Sequence, residues 1–158
     1  MKPRDAQAAI TLSELPASGR TRSPFNGASP GFTADWWDAE WDYIDNSSRH
    51  CFIALEDDVE VARVLTDPEA ELYSFHYEGL APLKEPVEVF RFEVRADQRG
   101  RGIGTRALQL LKDRYAGRDL YAFGDEVRFW RTVSWREYSR LDGDTMFVPL
   151  FVHHHAAQ

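Results

Sequence analysis

The chain has 158 residues, 43% of them apolar and 28% charged, with a net charge of −7. That length suits one domain with a real core, no apolar run approaches the ~18 residues of a membrane-spanning helix, and the acidic balance disfavours a nucleic-acid partner. One cysteine, Cys51, permits no internal disulfide and no apolar leader follows Met1, so a cytoplasmic location is the expectation.

Ala9 to Leu15 reads as a first strand, and Pro16 to Phe32, rich in Pro, Gly, Ser and Arg, as a long loop. Thr33 is placed to cap a helix over 34–47, because Trp37, Trp41 and Ile44 recur on one helical face. His50 to Glu56 and Glu60 to Thr66 form a predicted hairpin about Asp57-Asp58. Glu69 to Pro86 stays open between a strand and a short helix before a loop. Val87 to Val94, VEVFRFEV, is a strand whose alternation sends Val87 and Val89 one way and Phe90, Phe92 and Val94 the other, the mark of a central strand. Ile103, Ala107, Leu108, Leu111 and Tyr115 then repeat at helical spacing up to a stop at Gly117. Leu120 to Phe123 is a short buried strand and Asp125 to Val133 a helix. Arg136 to Arg140 and Met146 to Val152 close the chain as strands around the Asp142-Gly143 turn.

Between the central strand and its helix lies ADQRGRGIGTRAL, with glycines at 100, 102 and 104. Arg95, Arg99, Arg101 and Arg106 against the single Asp97 leave residues 95–106 at +3, and the rest of the chain at −10. A strand, a glycine turn and a helix start gather unpaired backbone N–H groups and the positive end of a helix dipole, where anions collect. A tight loop without a ligand is the plain alternative. A dinucleotide fingerprint also matches, since Gly102 to Ala107 satisfies G-x-G-x-x-A, but seven residues separate Val94 from Gly102, whereas that fingerprint turns directly off its strand. No G-x-x-x-x-G-K-[ST] is present, which excludes a phosphate-loop nucleotidase.

The segment VRADQRGRGIGTRAL resembles the acetyl-coenzyme A signature of the GNAT superfamily of N-acetyltransferases, Gln or Arg, two residues, Gly, one residue, Gly or Ala, met by Arg99, Gly102 and Gly104. FWRTVSW, Phe129 to Trp135, is similar to the family's later F-Y-x-x-x-G-F segment, with Trp130 at the tyrosine and Ser134 at the glycine. The resemblance implies one α/β acyltransferase domain over 1–158, a mostly antiparallel twisted sheet of six to seven strands flanked by helices and splayed at the coenzyme. Within it, 1–33 would be strand and loop, 34–94 the N-terminal half, 95–117 the pyrophosphate turn and helix, 118–152 the C-terminal half and 153–158 a tail. It implies acetyl-CoA as acyl donor, with the pyrophosphate on Arg99, Gly100, Arg101, Gly102, Ile103, Gly104 and Thr105. Pantetheine would lie along Phe92 and Val94, and Trp130 would pack on the coenzyme.

Acetylating an amine requires a free lone pair, and deprotonating a lysine-like amine of pKa about 10.4 at pH 7 costs on the order of 4.6 kcal/mol. A carboxylate base is therefore expected. Glu88 stands six residues before Val94, the spacing the resemblance assigns to the catalytic glutamate of the histone-acetylating branch. Pairing with Arg91 or Arg63 is its structural alternative, and Glu93, on the opposite predicted face, is the weaker candidate. A backbone N–H near Val94 would meet charge developing on the thioester oxygen. Trp130 has no acidic proton to give the leaving thiol, which leaves Tyr121 or Tyr138, unless either is simply a buried, satisfied tyrosine.

DWWDAEWDYID, Asp35 to Asp45, sets three tryptophans among five carboxylates. Carboxylates on a solvated face and tryptophans in the core explain most of it, yet Trp36, off the main stripe, and Asp35 are candidates to hold a cationic amine. The acceptor would be a small-molecule or peptide amine, with no nucleic acid or membrane partner and with a homodimer left open. A coenzyme-binding or interaction domain without turnover is the alternative function. His153, His154 and His155 point to alternate faces at the chain end and read as a frayed tail, with no metal expected. Cys51 reads as a small buried apolar residue.

Overall fold

The computed structural model describes residues 8–16, 23–25, 29–33, 36–37, 49–124, 126–143 and 148–156. Seven strands, β1 (Ile10–Leu15), β2 (His50–Glu56), β3 (Val59–Asp67), β4 (Val87–Val94), β5 (Leu120–Phe123), β6 (Arg136–Tyr138) and β7 (Leu150–His153), form one sheet in the order β1-β2-β3-β4-β5-β7-β6. Helix α1 (Ile103–Arg114) joins β4 to β5, and α2 (Val127–Thr132) joins β5 to β6. Every neighbouring pair is antiparallel except β4 and β5, the two strands bridged by α1. The mixed sheet expected from the sequence is thus present with seven strands.

Local chemistry sets most boundaries. Asp57 and Asp58 both take positive φ, 49° and 63°, the left-handed pair that a two-residue hairpin turn demands between β2 and β3. Gly117 closes α1 at φ 81°. Residues 69–86, left open from the sequence, contain one 3-10 turn, Ser74–His76, and an isolated bridge from Tyr77 to Arg140. Of the helix predicted over 34–47, Trp36 and Trp37 are described and helical; Asp35, Trp41 and Ile44 lie outside the described residues, as does Met146.

The core forms on both faces of the sheet. On the α1 face, Phe52, Val64, Val87, Val89 and Leu120 pack against Leu108, Leu111 and Tyr115. On the other face, Trp37 and Phe25 cover Cys51 and Leu65, while Tyr77, Leu80 and Tyr138 cover Tyr121 and Val152. Burial pushes the Cys51 thiol up to about 12, as befits an inert packed side chain.

The alternation read for β4 is corrected by a bulge. Thr66 pairs with Val89 and Leu65 with Arg91, so Phe90 is an extra residue in the β4 ladder. The insertion shifts the phase by one. Phe92 and Val94 therefore rejoin Val87 and Val89 on the α1 face, beside Ile103 and Ala107, and Glu88, Phe90 and Glu93 fall on the opposite face. Glu88 and Phe92 do not share a face.

The histidine run is also corrected, because it is held by three separate partners. His153 belongs to β7, opposite Leu120, with its ring 6.0 Å from that of Trp135. His154 Nε2 meets the Tyr138 hydroxyl at 2.7 Å. His155 donates its backbone N–H to Asp119 Oδ1 at 2.8 Å, and its ring Nδ1 lies 2.6 Å from the same oxygen.

Candidate active site

β4 and β5 pair only at Val87 with Leu120 and Glu88 with Tyr121, then diverge. Arg95 donates its N–H to Val61 on β3, so alternation turns the Val94 and Phe92 N–H groups toward β5, where no strand receives them. Arg99 Nε donates to the Val94 carbonyl at 3.3 Å from that same side. The parted edges open a cleft of about 760 Å³, within the range of small-molecule sites. β4 forms one wall, the turn at Gly100 to Thr105 its end, Phe123 from β5, the following Gly124, and Phe129 and Trp130 from α2 the far wall, with Trp36 at the rim.

The glycine turn delivers what its spacing predicts. Among the described residues, none of the six N–H groups from Gly100 to Thr105 donates to a protein acceptor; the first amide of the run that does is that of Arg106, bonded to the Gly102 carbonyl. Gly102, at φ 76°, is the N-cap of α1, and a Cβ there would meet nothing within 4 Å, so its glycine answers to conformation and to open approach. Gly104 is glycine for a different reason, since a Cβ would come 2.9 Å from the Phe129 ring. Six donors at a helix start suit a diphosphate, and the geometry fits the coenzyme A group that the sequence motif implies.

The positive charge of the segment is largely consumed within the protein. Arg95 pairs with Asp97 at 2.6 Å and reaches the Glu60 carbonyl. Arg101 pairs with Glu56 at 3.0 Å and bonds Gln98, and Arg106 stands 3.6 Å from the same Glu56 and bonds the Ala8 carbonyl. Arg99 is the one of the four whose side chain lines the cleft. Of this segment's groups, the cleft is left with unpartnered main-chain amides and one guanidinium.

The structure gathers Trp36, Phe92, Val94, Arg99, Gly100, Gly102, Ile103, Gly104, Thr105 and Trp130 around one cleft. Trp36 is 46% exposed at its rim, whereas neighbouring Trp37 is 1% exposed in the core. Trp130 packs on Phe129, Trp135 and Phe151, with its indole nitrogen so close to Gly124 that a Cβ there would lie 2.4 Å away. Ser134, at the usual glycine of the F-Y-x-x-x-G-F segment, takes φ 64°, so the left-handed turn persists without the glycine. Arg101, Glu88, Tyr121 and Tyr138 are not brought into the lining.

Glu88 sits one residue before the lining begins, between Asp67 on β3 and Tyr121 on β5. Burial raises its pKa, partly countered by Arg49 and reinforced by Asp67. Tyr121 is buried and donates to the Glu71 carbonyl at 3.4 Å, and burial, then Glu88, push its pKa far above that of an ordinary phenol. The Tyr138 hydroxyl is occupied by His154. Sequence reasoning missed Phe129, whose signal was its place in FWRTVSW, and read Glu93 only as the weaker candidate base, because its partners lie about 60 positions away.

An acetyltransferase model of the GNAT family matches residues 19–142. Similar solved structures include a GNAT-family protein from Desulfovibrio desulfuricans (15% identity, 94% of this chain and 100% of that one, TM-score 0.58). A GNAT acetyltransferase from Elizabethkingia anophelis with acetyl-CoA bound is 13% identical over 90% of this chain and 95% of that one, TM-score 0.54. An acetyltransferase from Thermus thermophilus is 18% identical at TM-score 0.49, and the match spans 68% of this chain but 65% of that one. No curated protein sequence matches. The splayed mixed sheet with an amide-lined turn defines a coenzyme-binding α/β fold. This chain belongs to the GNAT acetyltransferase family. Among the described residues, no helix is long and apolar enough to cross a membrane.

Proposed function

We propose that this protein transfers the acetyl group of acetyl-CoA to a primary amine of a small or peptide acceptor. The observation that carries the reading is the run of six unpartnered N–H groups, Gly100 to Thr105, at the end of a cleft between unpaired strand edges. Bound acetyl-CoA supplies an activated acyl group with a good leaving thiolate. The amides of the turn and Arg99 hold its diphosphate, and the free edge of Phe92 and Val94 aligns the pantetheine as an added strand would be aligned. Phe129 and Trp130 exclude water from the far wall.

Of the two N–H groups on this free edge, that of Val94, nearest the splayed end, would be available to an oxygen that gains negative charge there. Glu88 receives the amine's proton through water. Its half-buried position and raised pKa bring its proton affinity closer to neutral pH, which suits a general base. Trp36 offers an aromatic face to a cationic acceptor at the rim. Among the described residues no tyrosine lines the cleft, and a leaving thiol of pKa about 8.5 makes a protein acid dispensable.

Thiol release over a panel of polyamines, aminoglycosides and peptide amines tests the reading. Acetyl-CoA-dependent release with at least one amine is expected. Heat protection by coenzyme A without release from any amine would leave a binding module, and protection by NADH instead would move the glycine turn to the dinucleotide class.

A further inference from the structure

Glu93 is 6% exposed and lines the cleft, yet its carboxylate faces the N-terminal segment. Oε1 accepts the Thr33 backbone N–H at 2.7 Å and the Trp37 indole N–H at 3.0 Å, and Oε2 accepts the Thr33 hydroxyl at 2.6 Å. Thr33 in turn accepts the Trp36 N–H at 3.1 Å, so the carboxylate fixes the first turn of the segment that brings Trp36 to the rim. Arg99 NH2 stands 3.9 Å away on the coenzyme side.

Neighbouring contacts converge on the same docking. Arg63, paired in register with Glu93, is 1% exposed, and its guanidinium faces Phe32 at 4.2 Å, Phe25 at 5.4 Å and Trp37 at 5.8 Å while bonding Glu60. Ser29 donates to Glu60, and the Ala96 N–H donates to the Gly31 carbonyl. Residues 29–33, with Trp37, are therefore laid against the end of β4, where the strand enters the glycine turn.

We propose that Glu93 is a positioning residue, not the base: its three hydrogen bonds hold Thr33 and Trp37 against β4 and so set Trp36 at the acceptor mouth of the cleft. The acceptor role rests on the acetyltransferase reading above, whereas the docking does not. Both carboxylate oxygens already receive donors, from Thr33 and Trp37. Loss of the carboxylate would release two N–H groups and a hydroxyl, whereas glutamine preserves the pattern. Its carbonyl takes both N–H groups, and its NH2 donates to the Thr33 hydroxyl.

Amide hydrogen exchange over peptides covering 29–37 in the full chain, with steady-state kinetics and acetyl-CoA calorimetry, tests this on Glu93→Ala, Glu93→Gln and Thr33→Val. Glu93→Ala should lose protection at 29–37 and raise the amine KM about tenfold, the scale of one charge-assisted hydrogen bond, with acetyl-CoA affinity within about twofold. Glu93→Gln should restore both, and Thr33→Val, which keeps its backbone N–H bond, should fall between. Unchanged exchange at 29–37 in both Glu93→Ala and Thr33→Val overturns the proposal. So does a roughly hundredfold fall in kcat in Glu93→Gln with protection intact, since that would make Glu93 the base. If Glu93→Ala does not fold, Thr33→Val and Glu93→Gln decide. Failure of the wild type to acetylate any amine would count against the acetyltransferase reading alone, because the exchange pattern still judges the docking.

Discussion

At the glycine-turn end of the cleft, the main-chain N–H groups of six consecutive residues, Gly100 to Thr105, have no protein acceptor among the described residues. At the acceptor end, Trp36 stands at the rim because Glu93, about 60 positions away, binds Thr33 and Trp37. The first end is made by one turn and one helix start, contiguous in the chain. The second exists only when two distant parts of the chain pack together. On the proposed function, holding the coenzyme with local backbone and the acceptor with long-range side-chain contacts would let the acceptor end change without disturbing the donor end.

Glu88→Gln should break the comparison most severely if it is wrong. Turnover is expected to fall about 10²- to 10⁴-fold, the contribution typical of a general base, while calorimetric affinity for acetyl-CoA stays unchanged; undiminished turnover would remove Glu88 from the chemistry. The same variant carries a stability signature. A carboxyl whose folded pKa is raised contributes stability that is complete below its unfolded pKa and lost as pH rises through the folded value. Glu88→Gln should therefore melt higher than wild type at neutral pH, with the gap closing below the ordinary glutamate pKa of about 4.3.

Gly102→Val probes the coenzyme end. A β-branched side chain at φ 76° is strained and projects into the approach to the amides, so acetyl-CoA affinity should drop about a hundredfold by calorimetry, with a stability loss of roughly 1–2 kcal/mol. Hydrogen exchange at 29–37 should not change, since that segment is held by Glu93. Arg99→Ala and Arg101→Ala sharpen the same end. Removal of Arg99, whose side chain lines the cleft, should weaken acetyl-CoA about fivefold, and removal of Arg101, turned to Glu56, by less than twofold. Equal losses would mean that overall charge, not placement, attracts the coenzyme.

The smallest effect is expected at Ser134→Gly. Relief of a left-handed serine should raise stability by about 0.5–1 kcal/mol in denaturant unfolding, with activity unchanged. A loss would mean that the Ser134 side chain contributes more than its backbone strain costs.

Legibility followed the range of the interactions. Val87 to Val94 and Leu120 to Phe123 were bounded correctly because short apolar runs between turn residues have few alternatives, and Asp57-Asp58 announced its hairpin by tolerance of positive φ. The faces of β4 were misread because a bulge adds no residue type of its own; only the pairing of Thr66 with Val89 and Leu65 with Arg91 exposes it. The histidine run looked like a loose end because nothing local names Asp119 and Tyr138 as partners.

By itself the sequence determined the glycine turn and the helix after it, since φ preference, missing Cβ atoms and 3.6-residue periodicity act within a few neighbours. Only the tertiary structure decided which arginine faces the cleft, where Glu88 sits, and that Glu93 holds the acceptor segment. Those outcomes depend on register and on partners 45 to 60 residues apart, and the choice among several carboxylates for one donor is made by packing, not by local pattern.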